Sequence, residues 1–192
     1  MKLSDNKNTI TSTELLLTRQ SNANLTFPPP NEVDLDIILR AGMRVPDHAG
    51  LMPWQFLIAV DDGLQRLSNI FVDTLDNNER ADPIKLAKTT KMPFRAPMII
   101  IVTTDYQTHE KVPHKEQLIT AGCCVHAMQM AAFSLGYGAM WRTGNLATNE
   151  QVKQAMAIDT SEDIVGFLYV GTQSKCLNVK SEKAYQSKVR YI

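Results

Sequence analysis

Three short polar clusters interrupt otherwise apolar sequence, and each carries groups suited to binding an anion or a planar ring. The first is Arg19-Gln20-Ser21. A guanidinium presents a planar fork of donors to an oxyanion, and the serine hydroxyl adds another. The same arginine also reads as a helix C-terminal cap, because a cation is favoured at the negative helix end. The second cluster runs Arg40-Ala-Gly-Met-Arg44-Val-Pro46-Asp47-His48. Helical spacing puts Arg40 and Arg44 one turn apart, where like charges repel by about 0.2–0.5 kcal/mol unless a polar ligand sits between them. Pro46 sets His48 in a rigid turn leading to Pro53-Trp54. In the competing reading Arg40 pairs with Asp36 at i,i+4 and His48 is a surface turn residue. The third cluster is Trp141-Arg142-Thr143-Gly144, where side-chain and backbone donors at a strand end face a ligand at a sheet edge. Its competing reading is packing of the indole with the arginine stem snorkelling to solvent.

Other chemistries lack their motifs. There is no Gly-x-Gly-x-x-Gly fingerprint, phosphate-binding P-loop or Gly-x-Ser-x-Gly elbow. His48, His109, His114 and His126 show no zinc spacing with each other or with cysteine, so no metal site is expected. Twenty Lys plus Arg balance twenty Asp plus Glu, leaving no global field to attract nucleic acid or an anionic membrane. Neutrality also does little to keep copies apart, so an oligomer is expected.

The chain of 192 residues fits one domain over 11–192, with residues 1–10 as a flexible polar tail. Cys123 and Cys124 are adjacent and Cys176 stands alone, which suits reduced thiols. The N-terminus lacks an apolar signal-peptide core, and no apolar run approaches the ~20 residues needed to span a bilayer. A soluble cytoplasmic protein is the expectation.

The elements that must position these clusters are legible in outline. Thr11 with Glu14 forms a capping box that opens a helix through about Arg19, and three consecutive leucines predict burial on more than one face. Pro28-Pro29-Pro30 makes an extended connector. Asn31 caps a second helix that Pro46 ends near Val45. Residues 54–60 read as a buried strand, 64–75 as a helix, and 98–103 as a central β-branched strand. Residues 76–96 are charged and ambiguous. Residues 117–135 form a helix apolar on nearly every side, which needs a core or an interface around it. Strands follow at 139–142 and 164–170, the latter ended by Gly171, with a short helix at 149–157 between them. The irregular alternation favours a layered α+β sheet with helices on its faces.

Taken in order, these segments resemble the nitroreductase family, in particular its small bacterial NAD(P)H-dependent members. The likeness rests on Arg-Ala-Gly-Met-Arg-x-Pro-Asp-His before Met52-Pro53-Trp54, on Pro93-Phe-Arg-Ala-Pro-Met-Ile-Ile, and on Lys111-Val-Pro. It continues through Ala121-Gly-Cys, Ala127-Met-Gln-Met-Ala-Ala, Trp141-Arg142 and Ile164-Val-Gly-Phe-Leu-Tyr-Val-Gly-Thr172. It spans residues 15–172. Met52 departs from a common glutamine, and Gln20 from a usual second arginine.

The resemblance implies an interlocked α+β homodimer with FMN at the subunit interface. It implies that Arg19, Gln20 and Ser21 hold FMN in one subunit, together with Trp141, Arg142 and Thr143, and that Arg44 and His48 reach it from the other. No side chain need be an obligatory acid or base, because the flavin carries electrons from NAD(P)H to a small acceptor. A non-catalytic FMN-binding or flavin-storage dimer is the alternative.

Overall fold

The computed structural model describes residues 11–192; the expected N-terminal tail lies outside them. Five antiparallel strands form one sheet: β1 (Leu25–Thr26), β2 (Trp54–Val60), β3 (Met98–Thr104), β4 (Tyr137–Arg142) and β5 (Ile164–Gln173). β2 pairs with β3, β3 with β5, and β5 in turn with β4 and with the short β1.

β3 explains why the sheet is covered on both sides. All seven of its residues are buried, and side chains alternate between faces with period two. Met98, Ile100 and Val102 enter one core, Ile99 and Ile101 the other. The first core is closed by α2 (Glu32–Gly42) and the long α6 (His114–Ser134). Its helical side is built of small residues, Ala121, Cys124 and Ala132, with Val125 and Met128. Gly42 sits so close to α6 that a Cβ there would lie 2.8 Å from the Cys124 sulfur. The second core is closed by α3 (Asp62–Asp73), through Leu64, Leu67 and Phe71, and by Val152 of α7 (Glu150–Ala155). The layered α+β expectation with helices on both faces holds.

The Thr11–Glu14 capping box begins α1 (Ser12–Thr18) as expected. Five expectations need correction. β2 is a strand but not a buried one: Gln55 and Ile58 are exposed and only Trp54 and Ala59 are buried, because no helix covers this edge of the sheet along its whole length. α1 buries none of its residues; Leu16 and Leu17 are 69% and 74% exposed in the single chain. α2 ends at Gly42, three residues before Val45, so Arg44 lies beyond the helix and does not share a helical face with Arg40. Residues 76–96 hold two capped helices, α4 (Asn77–Ala81) and α5 (Pro83–Thr90). β5 runs through Gly171, where a Cβ would come 2.5 Å from Pro97; that glycine serves a close approach, not a stop.

Candidate functional site

The first cluster sits where α1 gives way to extended chain. Arg19 is the C-cap: its N–H donates to the Leu15 carbonyl at 3.1 Å while its backbone leaves the helix. Gln20 Nε2 then donates to the Asn178 carbonyl at 2.9 Å. Ser21 Oγ accepts from Gln129 Nε2 of α6 at 3.3 Å. The next residue, Asn22, is buried and fastens the segment: its N–H donates to the Ala139 carbonyl of β4 at 3.0 Å, and its side chain donates to Gln173 Oε1 and the Lys175 carbonyl. The cluster is thus held between α6, β4 and the C-terminal segment. Within it, Arg19 Nη1 and Gln20 Oε1 are shut off from water and make no hydrogen bond. A buried polar atom left unpaired costs about 1–3 kcal/mol, so each is a group that a bound ligand would satisfy, one as donor and the other as acceptor.

The third cluster continues along the same strand. β4 is bonded to β5 on one side only. The Ala139 carbonyl points away from β5, toward Asn22. In an antiparallel ladder the residue two further on shares that orientation, so the N–H and C=O of Trp141 face the open edge. Its indole packs inward over Gly166, where any Cβ would run into the ring, and Nε1 donates to the Val165 carbonyl at 3.2 Å. Arg142 goes to the opposite face, its guanidinium carbon 5.4 Å from the Tyr169 ring centroid, with Nε buried and unbonded. Thr143 and Gly144 are exposed, and Gly144 takes φ +88°, a conformation glycine accommodates without strain.

The second cluster lies apart. Arg44 is exposed, and its side chain makes no hydrogen bond or ion pair among the described residues. His48 opens a short 3-10 turn, and its Nδ1 is 2.7 Å from Glu116 Oε1 in the first turn of α6. Arg40 lies 3.5 Å from Asp36, the i,i+4 pair of the competing reading. Glu116 precedes Gln129, the partner of Ser21, by thirteen positions on α6, or about 20 Å at 1.5 Å per residue. One chain therefore gathers Arg19, Gln20 and Ser21 beside the β4 edge and holds His48 toward the other end of α6, at Glu116.

Asn22, Gln129 and Glu116 were missed in the sequence. Asn22 adjoins a recognised cluster, whereas Gln129 and Glu116 act through pairings far apart in the chain, which no local spacing announces. No thiol here is poised as a nucleophile from within the core, since burial pushes Cys124 up to about 12.

This arrangement defines a class. The Nitroreductase family profile matches residues 16–172, and the chain belongs to that family. It is 42% identical over 162 residues to YdjA of Escherichia coli (strain K12), named as a candidate NAD(P)H nitroreductase, covering 83% of this chain and 86% of that one. A Haemophilus influenzae protein with a similar name is 32% identical over 82% of this chain and 86% of its own. Among solved structures, a nitroreductase-like protein from Bacillus cereus superposes with a TM-score of 0.84 at 21% identity, covering 97% of this chain and 99% of that one. A candidate nitroreductase in complex with FMN from Desulfovibrio desulfuricans gives 0.70 at 18% identity, covering 92% of each. The two structures establish the shared fold.

Proposed function

We propose that the chain is an FMN-dependent NAD(P)H oxidoreductase, working as a cytoplasmic homodimer with a single cofactor-binding domain over 11–192. When bound, FMN supplies the redox chemistry, taking electrons from NAD(P)H and passing them in a separate half-reaction to a nitroaromatic, a quinone or another electron-poor acceptor. The curated relatives are named for the nicotinamide donor, and a solved neighbour contains FMN.

The observation that carries this reading is the unbonded pair Arg19 Nη1 and Gln20 Oε1 beside the open edge of β4. These residues fit FMN. Arg19 and Ser21 supply a cation and a hydroxyl for the phosphate. Gln20 supplies an acceptor, and the Trp141–Thr143 backbone supplies further donors and acceptors at the strand edge. These groups bind and orient; no side chain of the cluster needs to gain or lose a proton.

The homodimer reading rests on uncovered apolar surface and on the distance between the clusters. Leu16 and Leu17 of α1 and Ile119 of α6 are 59–74% exposed, a burden that a second copy removes by burial. On this reading the second copy supplies Arg44 and His48 to the cofactor; within one chain the His48 partner Glu116 lies about 20 Å along α6 from Gln129, which holds Ser21.

The test is anaerobic. FMN is titrated into purified protein, the complex is mixed with NADH or NADPH in stopped flow, and the reduced protein is then mixed with nitroaromatic and quinone acceptors. Rapid bleaching, followed by reoxidation independent of the remaining nucleotide, is expected. Tight FMN binding without bleaching by either nucleotide would make the chain a flavin carrier instead.

A further inference from the structure

A cavity lies on the Tyr169 face of the sheet. It has a volume of about 690 Å³ and is bounded by α3, α4, α5 and the β4–β5 end of the sheet, within the ~300–1,000 Å³ of small-molecule sites. Phe71 and Phe167, in edge-to-face contact with centroids 5.5 Å apart, line it together with Tyr169. Four cations also line it, Lys85, Lys88, Arg95 and Arg142, against a single acid, Glu79. That acid is taken up by Lys85 at 3.1 Å. Lys88, Arg95 and Arg142 have no acidic partner among the described residues.

Arg142 is the informative member. Strand alternation turns its guanidinium away from Trp141 and over the Tyr169 ring. Its Nε is excluded from water and unbonded, whereas a guanidinium is best satisfied by a planar pair of oxygens. Arg95 lines the same cavity, and the positive charge of both arginines opposes the upward push of burial on the Tyr169 pKa. Cations gathered without a counter-charge against aromatic walls are complementary to an anion mounted on a ring.

We propose that this cavity binds a small aromatic carboxylate, its carboxylate held by Arg142 and Arg95 and its ring lying against Phe71, Phe167 and Tyr169. The site uses the side chain of Arg142, whereas the cofactor reading uses the backbone at the open edge of β4. The cavity also touches Trp141 and Thr143 of the cofactor cluster, so competition with FMN is part of the test.

The experiment is isothermal titration of the full chain, saturated with FMN, by 2-naphthoate, by its neutral isostere 2-naphthamide and by inorganic phosphate. One naphthoate per chain is expected, with naphthamide and phosphate each at least tenfold weaker. Arg142→Gln and, separately, Arg95→Gln should weaken naphthoate at least tenfold while far-ultraviolet circular dichroism stays unchanged. The arginine at 95 lies off the β4 edge and serves as the second variant should the first disturb the strand. Equal affinity for naphthoate and naphthamide, phosphate as tight as naphthoate, full affinity in both variants, or no binding at millimolar ligand would each overturn the proposal. So would displacement of naphthoate by FMN, in a parallel titration of flavin-free protein, because the cavity would then belong to the cofactor. FMN affinity itself is read in the same titrations, so loss of the flavin reading shows independently.

Discussion

His48 Nδ1 and Glu116 Oε1 lie 2.7 Å apart, fastening the turn that follows α2 to the first turn of α6. Both side chains are about half exposed, 54% and 43%, and such pairs contribute about 0–1 kcal/mol to stability. Their contact matters for where it holds the imidazole. Glu116→Gln should leave the melting temperature within ~4 °C of wild type, as expected for so small an energy, and weaken FMN binding several-fold by freeing His48. His48→Ala should do the same. Flavin fluorescence titration checks both, and full affinity in Glu116→Gln beside lost affinity in His48→Ala would show that the pair positions nothing.

Arg19→Ala removes a guanidinium whose Nη1 has no protein partner. Protein stability should therefore be unchanged or slightly raised. FMN affinity should fall by about 1.5–3 kcal/mol, the scale of a hydrogen bond to a charged group. Denaturant melts and flavin titration of the same preparation separate the two effects.

The three thiols should divide into classes. Cys124 is fully buried and its pKa is pushed up to about 12, chiefly by burial and then by Cys123; it should resist an aromatic disulfide reagent until the protein unfolds. Cys176 is exposed and should react at once. Cys123 is exposed in the single chain but lies on α6 next to the uncovered Ile119 region. Its labelling should slow as protein concentration rises through the dimerisation range, while that of Cys176 does not. Sedimentation run in parallel fixes that range, and a concentration-independent Cys123 rate in a dimer would move the interface away from this part of α6.

Alkaline pH should weaken the fold through Tyr106. Its hydroxyl donates to Asp163 Oδ2 at 2.6 Å. Burial first, and the neighbouring Asp163 second, push its pKa up to about 12 from an ordinary 10. A folded-state pKa raised above the unfolded one means that the stabilisation is complete below pH ~10 and is lost as pH climbs through about 12. The urea midpoint should fall between pH 9.5 and 11.5, and Tyr106→Phe should shrink that fall. Tyr137 and Tyr169 are also raised, so part of the slope should persist in the variant. Tyrosinate absorbance near 295 nm should lose a late-titrating component in Tyr106→Phe.

How much was legible in the chain follows from whether the signal was local. Residues 54–60 form the expected strand because Trp54 to Val60 is bounded by Pro53 and a turn. The caps at Thr11 and Asn31 were readable because each bonds a backbone N–H three residues on. The helices at 77–90 carried equally local signals, Asp76 with Glu79 and Asp82 before Pro83, that charge obscured. Gly171 misled for another reason. It makes room for Pro97, which is distant in sequence, so this glycine does not mark a stop. The site shows the same division. Arg19, Gln20 and Ser21 could be picked out by type, but the direction of the Arg142 side chain depends on the Arg142–Phe167 register, and no spacing within either strand encodes that pairing.

β5 touches β1, β3 and β4, yet it is the last strand to be made. On the ribosome, β3 is synthesised with apolar residues on both faces and can pair with β2 at once, but its other edge waits until residue 164 and beyond have been translated. At roughly 5–20 residues per second that interval lasts on the order of several seconds, during which an open, strongly apolar strand edge stays unpaired. The nascent chain is thus a natural client for a holding chaperone. Shortage of such help, or premature termination before β5, should appear as aggregation of newly made chains while mature protein remains in solution.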